Sequence, residues 1–178
     1  MLRENSPRYG IAFVVAGTIV LIDQASKAAA IAGLSGTERI PLLGDVLGLQ
    51  LAFNPGAILS LGSGATWVLT AVGVGAVIAL FVAATRARTK VRAWGLGLIL
   101  GGAIGNVLDR LLAPPGFGRG HVTDFLAYGN WFIGNLADVA LAIGGVFLVV
   151  GLLSDQRAAA RTRQTIDRPD GSREDSTG

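Results

Sequence analysis

Gly101-Gly102-Ala103-Ile104-Gly105-Asn106-Val107-Leu108-Asp109-Arg110, then Val122-Thr123-Asp124-Phe125, then Asn135-Leu136-Ala137-Asp138, fall between Leu100 and Asp138 and decide how the chain is read. A glycine-rich apolar run ends in Asp109-Arg110, a short polar loop carries Asp124, and the chain re-enters apolar sequence with Asp138. The setting is 51% hydrophobic and 15% charged, with a mean hydropathy of +0.56. Such a balance belongs to an integral membrane protein and excludes most soluble folds. Disulfides, thiolate metal sites and a cysteine nucleophile are ruled out by the lack of cysteine. A lone histidine, His121, argues against a histidine-ligated zinc site. The net charge of +3 does not form a basic stripe that would bind nucleic acid, because the cations flank apolar runs and act as topology signals.

Working outward from that stretch, four apolar runs at 11–31, 67–84, 94–112 and 131–153 have the length of membrane-spanning helices, about 20 residues for a hydrocarbon core of about 30 Å. Asp23 and Lys27 inside the first run argue against a cleavable signal peptide. Arg86, Arg88, Lys90 and Arg92 crowd the link between the second and third runs, Arg3 and Arg8 precede the first, and Arg157, Arg161 and Arg163 follow the fourth. The two opposite loops offer mainly Arg39 and Arg119, so both termini are expected in the cytoplasm. Trp67, Trp94 and Trp131 at helix starts fit interfacial anchors.

The first outer segment alternates Leu47, Leu49, Leu51 and Phe53 and ends in Asn54-Pro55-Gly56, which predicts a small β element over about residues 40–60. The second outer segment, from Ala113 to Asn130, is too short for a domain of its own. The expected fold is an all-α membrane protein of four spans with this extracytoplasmic β element in the first outer loop, residues 1–153 forming one domain. Residues 154–178 are polar, without apolar period, and read as a disordered cytoplasmic tail.

A charge inside a span costs about 2.5 to 3.5 kcal/mol, so each needs a partner or a purpose. Counted along their spans, Asp23, Asp109 and Asp138 all lie in the outer third, roughly 18 to 22 Å from the inner boundary. Asp23 and Lys27 are four apart, Asn106 and Arg110 four apart, and Asn135 and Asp138 three apart, so each pair shares a helix face. Gly97, Gly101 and Gly105 form a small-xxx-small edge for close helix packing. Asp23 with Lys27 reads equally as a structural or a functional ion pair, Asp109 with Arg110 as a structural one, His121 as solvated and Ser63 as a loop serine. Asp138 has no cation three or four residues away in its own helix. Asp124 and Asp138 are therefore the candidate catalytic pair: two acids near hydrocarbon can share one proton, the ionised one activating water and the neutral one protonating a leaving amine. No metal or cofactor is called for. A small proton-coupled transporter is the alternative, since intramembrane carboxylates also relay protons, although the acids lie off the midplane and no repeat is visible. A rhomboid-like serine protease would need a serine and a histidine inside helices, and a noncatalytic scaffold leaves Asp124 and Asp138 without a reason.

The motifs resemble those of the lipoprotein signal peptidase, or signal peptidase II, family over about Ile11 to Leu153. Asp23-Gln24-x-x-Lys27, Asn54-x-Gly56-Ala57, Gly101-Gly102-x-x-Gly105-Asn106-x-x-Asp109-Arg110, Val122-x-Asp124-Phe125 and Asn135-x-Ala137-Asp138 occur in the family's order. The resemblance implies an aspartic endopeptidase of the bacterial cytoplasmic membrane, active on its extracytoplasmic side, and a monomer is the expected working unit. It implies removal of signal peptides before a diacylglyceryl-modified cysteine of prolipoproteins, contact with membrane lipids and inhibition by globomycin-type cyclic peptides. By position, Asp124 and Asp138 are the implied dyad; Asn54, Gly56, Asn106, Arg110 and Asn135 line the site, and Asp23, Lys27 and Asp109 support it. Gly134, where the family usually has Phe, and Ile58 and Leu59, where an aromatic is common, depart from the pattern and bear on pocket shape.

Overall fold

The computed structural model describes residues 8–36, 38–56 and 65–166, with side chains to 160. Its elements run α1 (Tyr9–Gly33), β1 (Ile40–Leu43), β2 (Leu47–Asn54), α2 (Thr66–Thr85), α3 (Lys90–Leu112), β3 (Val122–Tyr128), β4 (Phe132–Gly134) and α4 (Leu136–Ile166). All four helices are long and apolar enough to cross a membrane, the fourth over Leu136–Ala160.

Helix α3 is the hub, and glycine makes it so. A Cβ on Gly97 would stand 2.7 Å from the Ala12 carbonyl oxygen, and one on Gly101 would stand 2.7 Å from Ile19 Cβ, so this edge lets α1 lie against bare backbone. On another face, a Cβ on Gly102 would stand 2.6 Å from the Ala137 carbonyl oxygen of α4. The core between helices is accordingly built of small residues, Ala12, Ala16, Ala84, Ala87 and Ala93, with Leu100. Large side chains such as Val14, Leu21, Val72, Ile78 and Val146 point outward. In lipid, where apolar burial between helices gains little, close backbone packing is what holds spans together. Helix α2 packs mainly on α3 and meets α1 through Phe13 and Phe81, whose rings lie 4.9 Å apart.

The four strands form one antiparallel sheet in the order β1-β2-β3-β4. Both inter-helix segments at this end contribute, so the β element is not confined to the first: Val122–Tyr128 and Phe132–Gly134 supply half the strands. Pairing of β2 with β3 sets Ala52 opposite Asp124 and Asn54 opposite Val122, with an irregularity between Leu49 and Ala52. That irregularity breaks the simple alternation expected of Leu47, Leu49, Leu51 and Phe53; Gly48 is the buried residue of β2, and Phe53 is exposed.

Three boundaries differ from those read in the sequence by more than one or two residues. Helix α4 begins at Leu136, not at Trp131, because Phe132–Gly134 pairs with β3 and Trp131 occupies the hairpin turn, its N–H donating to the Tyr128 carbonyl. Helix α3 begins at Lys90, ahead of Trp94, where the Thr89 hydroxyl accepts the Arg92 N–H at 3.2 Å as an N-cap. Helix α4 continues to Ile166 through residues read as a disordered tail: Ala158, Ala159 and Ala160 with flanking arginines are strong helix formers, and Arg92 pairs with Asp155. Residues 167–178, like Arg3, Ala57, Ile58, Leu59 and Ser63, lie outside the described residues.

Candidate active site

The polar side chains of α1, α3 and α4 meet where these helices reach the sheet. Lys27 Nζ lies 2.8 Å from Asp23 Oδ2 and 2.9 Å from Asp109 Oδ2, and donates to Asn106 Oδ1 at 3.1 Å. All three charged groups are buried. Removing charges from water costs several kcal/mol per ion, so such a cluster persists only if every remaining lone pair and proton is matched. Here Gln24 Nε2 donates to Asp23 Oδ2 and to Asp109 Oδ1, both at 3.2 Å. The Ala137 N–H donates to Asp23 Oδ1 at 3.0 Å, and the Thr123 N–H donates to Asp109 Oδ2 at 2.9 Å. Each of these two aspartates thus grips the backbone amide immediately before one member of the candidate pair, Asp138 or Asp124.

Arg110 does not pair with Asp109, contrary to the sequence reading. Successive residues of a helix point about 100° apart, so Asp109 turns to Lys27 and Arg110 turns outward to the Pro55 and Gly56 carbonyls. Arg110 thereby secures the turn after β2. Within that turn the Gly56 N–H donates to Asn54 Oδ1 at 2.9 Å, which directs the Asn54 amide nitrogen to Asp124 Oδ2 at 3.2 Å.

Asn135 and Asp138 are the first and fourth positions of a capping box on α4. The Asp138 N–H donates to Asn135 Oδ1 at 3.0 Å, and the Asn135 N–H donates to Asp138 Oδ2 at 3.1 Å. Asp138 therefore sits in the first turn of its helix, not well inside a span as the sequence boundary placed it. Asn135 Nδ2 is left to donate to Asp124 Oδ1 at 2.6 Å and to Asn106 Oδ1 at 3.2 Å. Asn106 Nδ2 donates to Asp138 Oδ1 at 3.0 Å. Because Lys27 can only donate, it fixes the Asn106 amide with its oxygen inward and its nitrogen on Asp138.

Asp124 and Asp138 are consequently bridged by one asparagine and held by a second and a third. Burial pushes the Asp124 carboxyl up to about 6, and the nearby Asp138 charge adds to this, while hydrogen bonds from Asn135 and Asn54 and the Lys27 charge act the other way. Asp124 is 3% exposed and Asp138 partly exposed, so the pair opens on the Asp138 side. Among the described residues, no buried side-chain nitrogen or oxygen lacks a hydrogen-bond partner.

All ten singled-out residues fall in this assembly: Asp23, Lys27, Asn54, Gly56, Asn106, Asp109, Arg110, Asp124, Asn135 and Asp138. Gln24, part of the first motif but given no role there, is an additional member that bridges two carboxylates. The Thr123 and Ala137 amides carried no sequence signal, since every residue but proline has one. His121 is half-buried in its loop, with its N–H on the Pro114 carbonyl, and stands apart from the cluster.

The fold is shared with solved bacterial membrane enzymes. One, determined by the in meso method at 1.9 Å resolution, superposes with a TM-score of 0.72 at 24% identity over 84% of this chain and 96% of that one. Another, at 2.3 Å, gives 0.69 at 21% identity over 97% of each chain. A family model described as signal peptidase (SPase) II matches residues 15–154. Curated relatives named lipoprotein signal peptidase include one from Rhodococcus jostii strain RHA1, 42% identical over 78% of this chain and 70% of its own length. Another, from Mycobacterium avium strain 104, is 41% identical over 76% of this chain and 75% of its own. The chain is a multi-pass membrane protein and belongs to the signal peptidase II family. A proton-coupled transporter is accordingly not favoured.

Proposed function

We propose that the protein is an aspartic endopeptidase that removes the signal peptide from prolipoproteins, cutting before a cysteine that bears a diacylglyceryl group. The observation that carries this reading is the Asn135 bridge: one side chain and its backbone bond both Asp124 and Asp138, holding two carboxylates at one mouth.

In the proposed reaction the two acids share one proton. Asp124, the more buried, keeps it; Asp138, on the open side, takes a proton from water as the water oxygen attacks the scissile carbonyl carbon. The tetrahedral carbon collapses, the C–N bond breaks and the Asp124 proton passes to the leaving amine, giving a signal peptide with a new carboxylate and a lipoprotein with a free α-amine. Asn54, Asn106 and Asn135 orient the carboxylates, Arg110 and Gly56 set the turn that aims Asn54, and Asp23, Lys27 and Asp109 lock the supporting elements.

The cations at the end opposite the sheet, Arg86, Arg88, Lys90, Arg92 and Arg157, support an orientation with both termini in the cytoplasm and the sheet outside the bacterial cytoplasmic membrane. Acyl chains in the outer leaflet would then hold the modified cysteine at the level of the pair. A globomycin-type peptide would compete for the same mouth, and the working unit is a monomer. The test is cleavage of a diacylglyceryl-modified precursor by purified Asp124→Asn and Asp138→Asn proteins. Loss of cleavage with normal insertion and accumulation is expected for both; an active variant at either position overturns the assignment.

A further inference from the structure

Strand β4 is an edge. It pairs with β3 through Tyr128 with Phe132, Ala127 with Ile133 and Leu126 with Gly134, and it ends the sheet order. Among the described strands, β3 is its neighbour in the sheet. In a strand, alternate residues turn their N–H and C=O groups to opposite sides, so part of the β4 backbone points away from β3, and the strand grades from an exposed Phe132 to a buried Gly134. Soluble and membrane proteins alike blunt such edges with charge, proline or a covering loop, because an open row of amides pairs with any extended chain. Phe132-Ile133-Gly134 carries none of the first two.

Two features tie this edge to the candidate site. It runs directly into Asn135 and Asp138, and Gly134, the last strand residue, stands so near that a Cβ there would lie 2.9 Å from Asp138 Oδ2. Gly134 is itself buried, faced by the Asp138 carboxylate and the Phe132 ring, so the strand carries its neighbours directly to the pair. At the other end of the same strand is a cavity of about 280 Å³ lined by Gln50, Gly129, Asn130, Trp131, Phe132 and Ile133. Trp131 is 87% exposed and Phe132, its ring stacked on Tyr128, 45% exposed, an aromatic rim at the start of the edge. Three strand residues span about 10 Å, so cavity and carboxylate pair are separated by two or three residues of extended chain.

We propose that the substrate peptide binds as a fifth strand on the outer edge of β4, its backbone hydrogen-bonded along Phe132 and Ile133, with the bond to be cut beside Gly134 and Asp138 and a side chain two or three residues away in the cavity at Trp131. Recognition of this kind takes its affinity from main-chain bonds and its selectivity from the alternate side chains that reach a pocket. The inference rests on the proteolytic reading above and deepens it.

The test is an ester scan of a diacylglyceryl-modified peptide substrate, each backbone N–H near the scissile bond being replaced in turn by oxygen, with KM and kcat measured on the full-length protein in detergent. An added strand loses binding at every second position, with KM rising roughly five- to tenfold there and staying near the all-amide value between, since one hydrogen bond is at stake each time. Photo-crosslinking from position 132, but not from position 42 on the opposite edge strand β1, should capture the same peptide on the Asp138→Asn protein. Equal KM values across the scan, or capture at position 42, overturn strand addition while leaving the dyad intact. Failure to cleave the all-amide peptide overturns both readings.

Discussion

Asp109 accepts the backbone N–H of Thr123 at 2.9 Å with the same carboxylate that pairs with Lys27, so a charge in α3 anchors the strand that carries Asp124. Asp23 does the same for α4 through Ala137. These two bonds couple helix packing to the placement of the candidate pair.

Asp109→Asn keeps the shape of the side chain but removes one of the two charges facing Lys27. Breaking a buried, amide-bonded ion pair costs about 3 to 5 kcal/mol when a partner is deleted outright, and less where, as here, Asp23 remains. The variant should show a lower thermal midpoint in detergent and reduced yield. Native stability with complete inactivity would assign Asp109 a chemical role.

Asn135 serves α4 as N-cap and Asp124 as donor, and these roles separate. Asn135→Ser retains a capping oxygen but takes the amide donor from two acceptors in a fully buried place, so stability should fall by about 1 to 3 kcal/mol, and further for Asn135→Ala, which loses the cap as well. It removes the 2.6 Å bond to Asp124, and activity should drop about a hundredfold. Parallel thermal melts and cleavage rates on this variant and on Asn135→Ala, which loses both roles, distinguish them.

Asp124 gives the protein a pH dependence of known sign. Its carboxyl titrates near 6 in the folded protein against 3.8 in an unperturbed side chain, so between these values the folded state holds a proton that the unfolded chain has released. The stabilising effect is complete below the unfolded value and is lost as pH rises through 6; at pH 8 the folded state is worse off by about 3 kcal/mol. The thermal midpoint of the native protein should therefore fall between about pH 5 and about pH 8 more than that of Asp124→Asn, which does not titrate there. On the same reasoning, kcat/KM should decline on the alkaline side of about 6 as the shared proton is lost. A flat profile from pH 5 to pH 8 would contradict this protonation scheme.

Gly102 and Gly145 make a matched pair. A Cβ on Gly102 would stand 2.6 Å from the Ala137 carbonyl oxygen, a backbone atom beside Asp138, whereas one on Gly145 meets nothing within 4 Å. Gly102→Ala should cost about 1 to 3 kcal/mol and lower activity, because α4 must move. Gly145→Ala should be neutral, or stabilising by up to about 1 kcal/mol through helix propensity. Thermal melts of both proteins check this.

The spans were legible because hydropathy and length are local quantities, and the pairing of Asp23 with Lys27 was legible because residues four apart share a helix face. The second half of the sheet was not. Phe132-Ile133-Gly134 is apolar and continuous with the run that becomes α4, and its strand character comes from pairing with Leu126–Tyr128, which leaves no trace in composition. The partner of Asp109 was misread for a related reason: adjacency in sequence suggested Arg110, but the helix turns the two apart.

Four apolar stretches, and the motifs that mark the family, are properties of residue order, and the bilayer enforces their helical form because every backbone N–H and C=O in lipid must be satisfied within its own segment. Which asparagine faces which carboxylate, and which amide each buried aspartate grips, arises only when glycine edges on α3 bring α1 and α4 to backbone contact. A hydrogen bond near 3 Å tolerates little displacement, so the arrangement of Asp124 and Asp138 is a property of how the helices and sheet pack and not of the order of residues in any one of them.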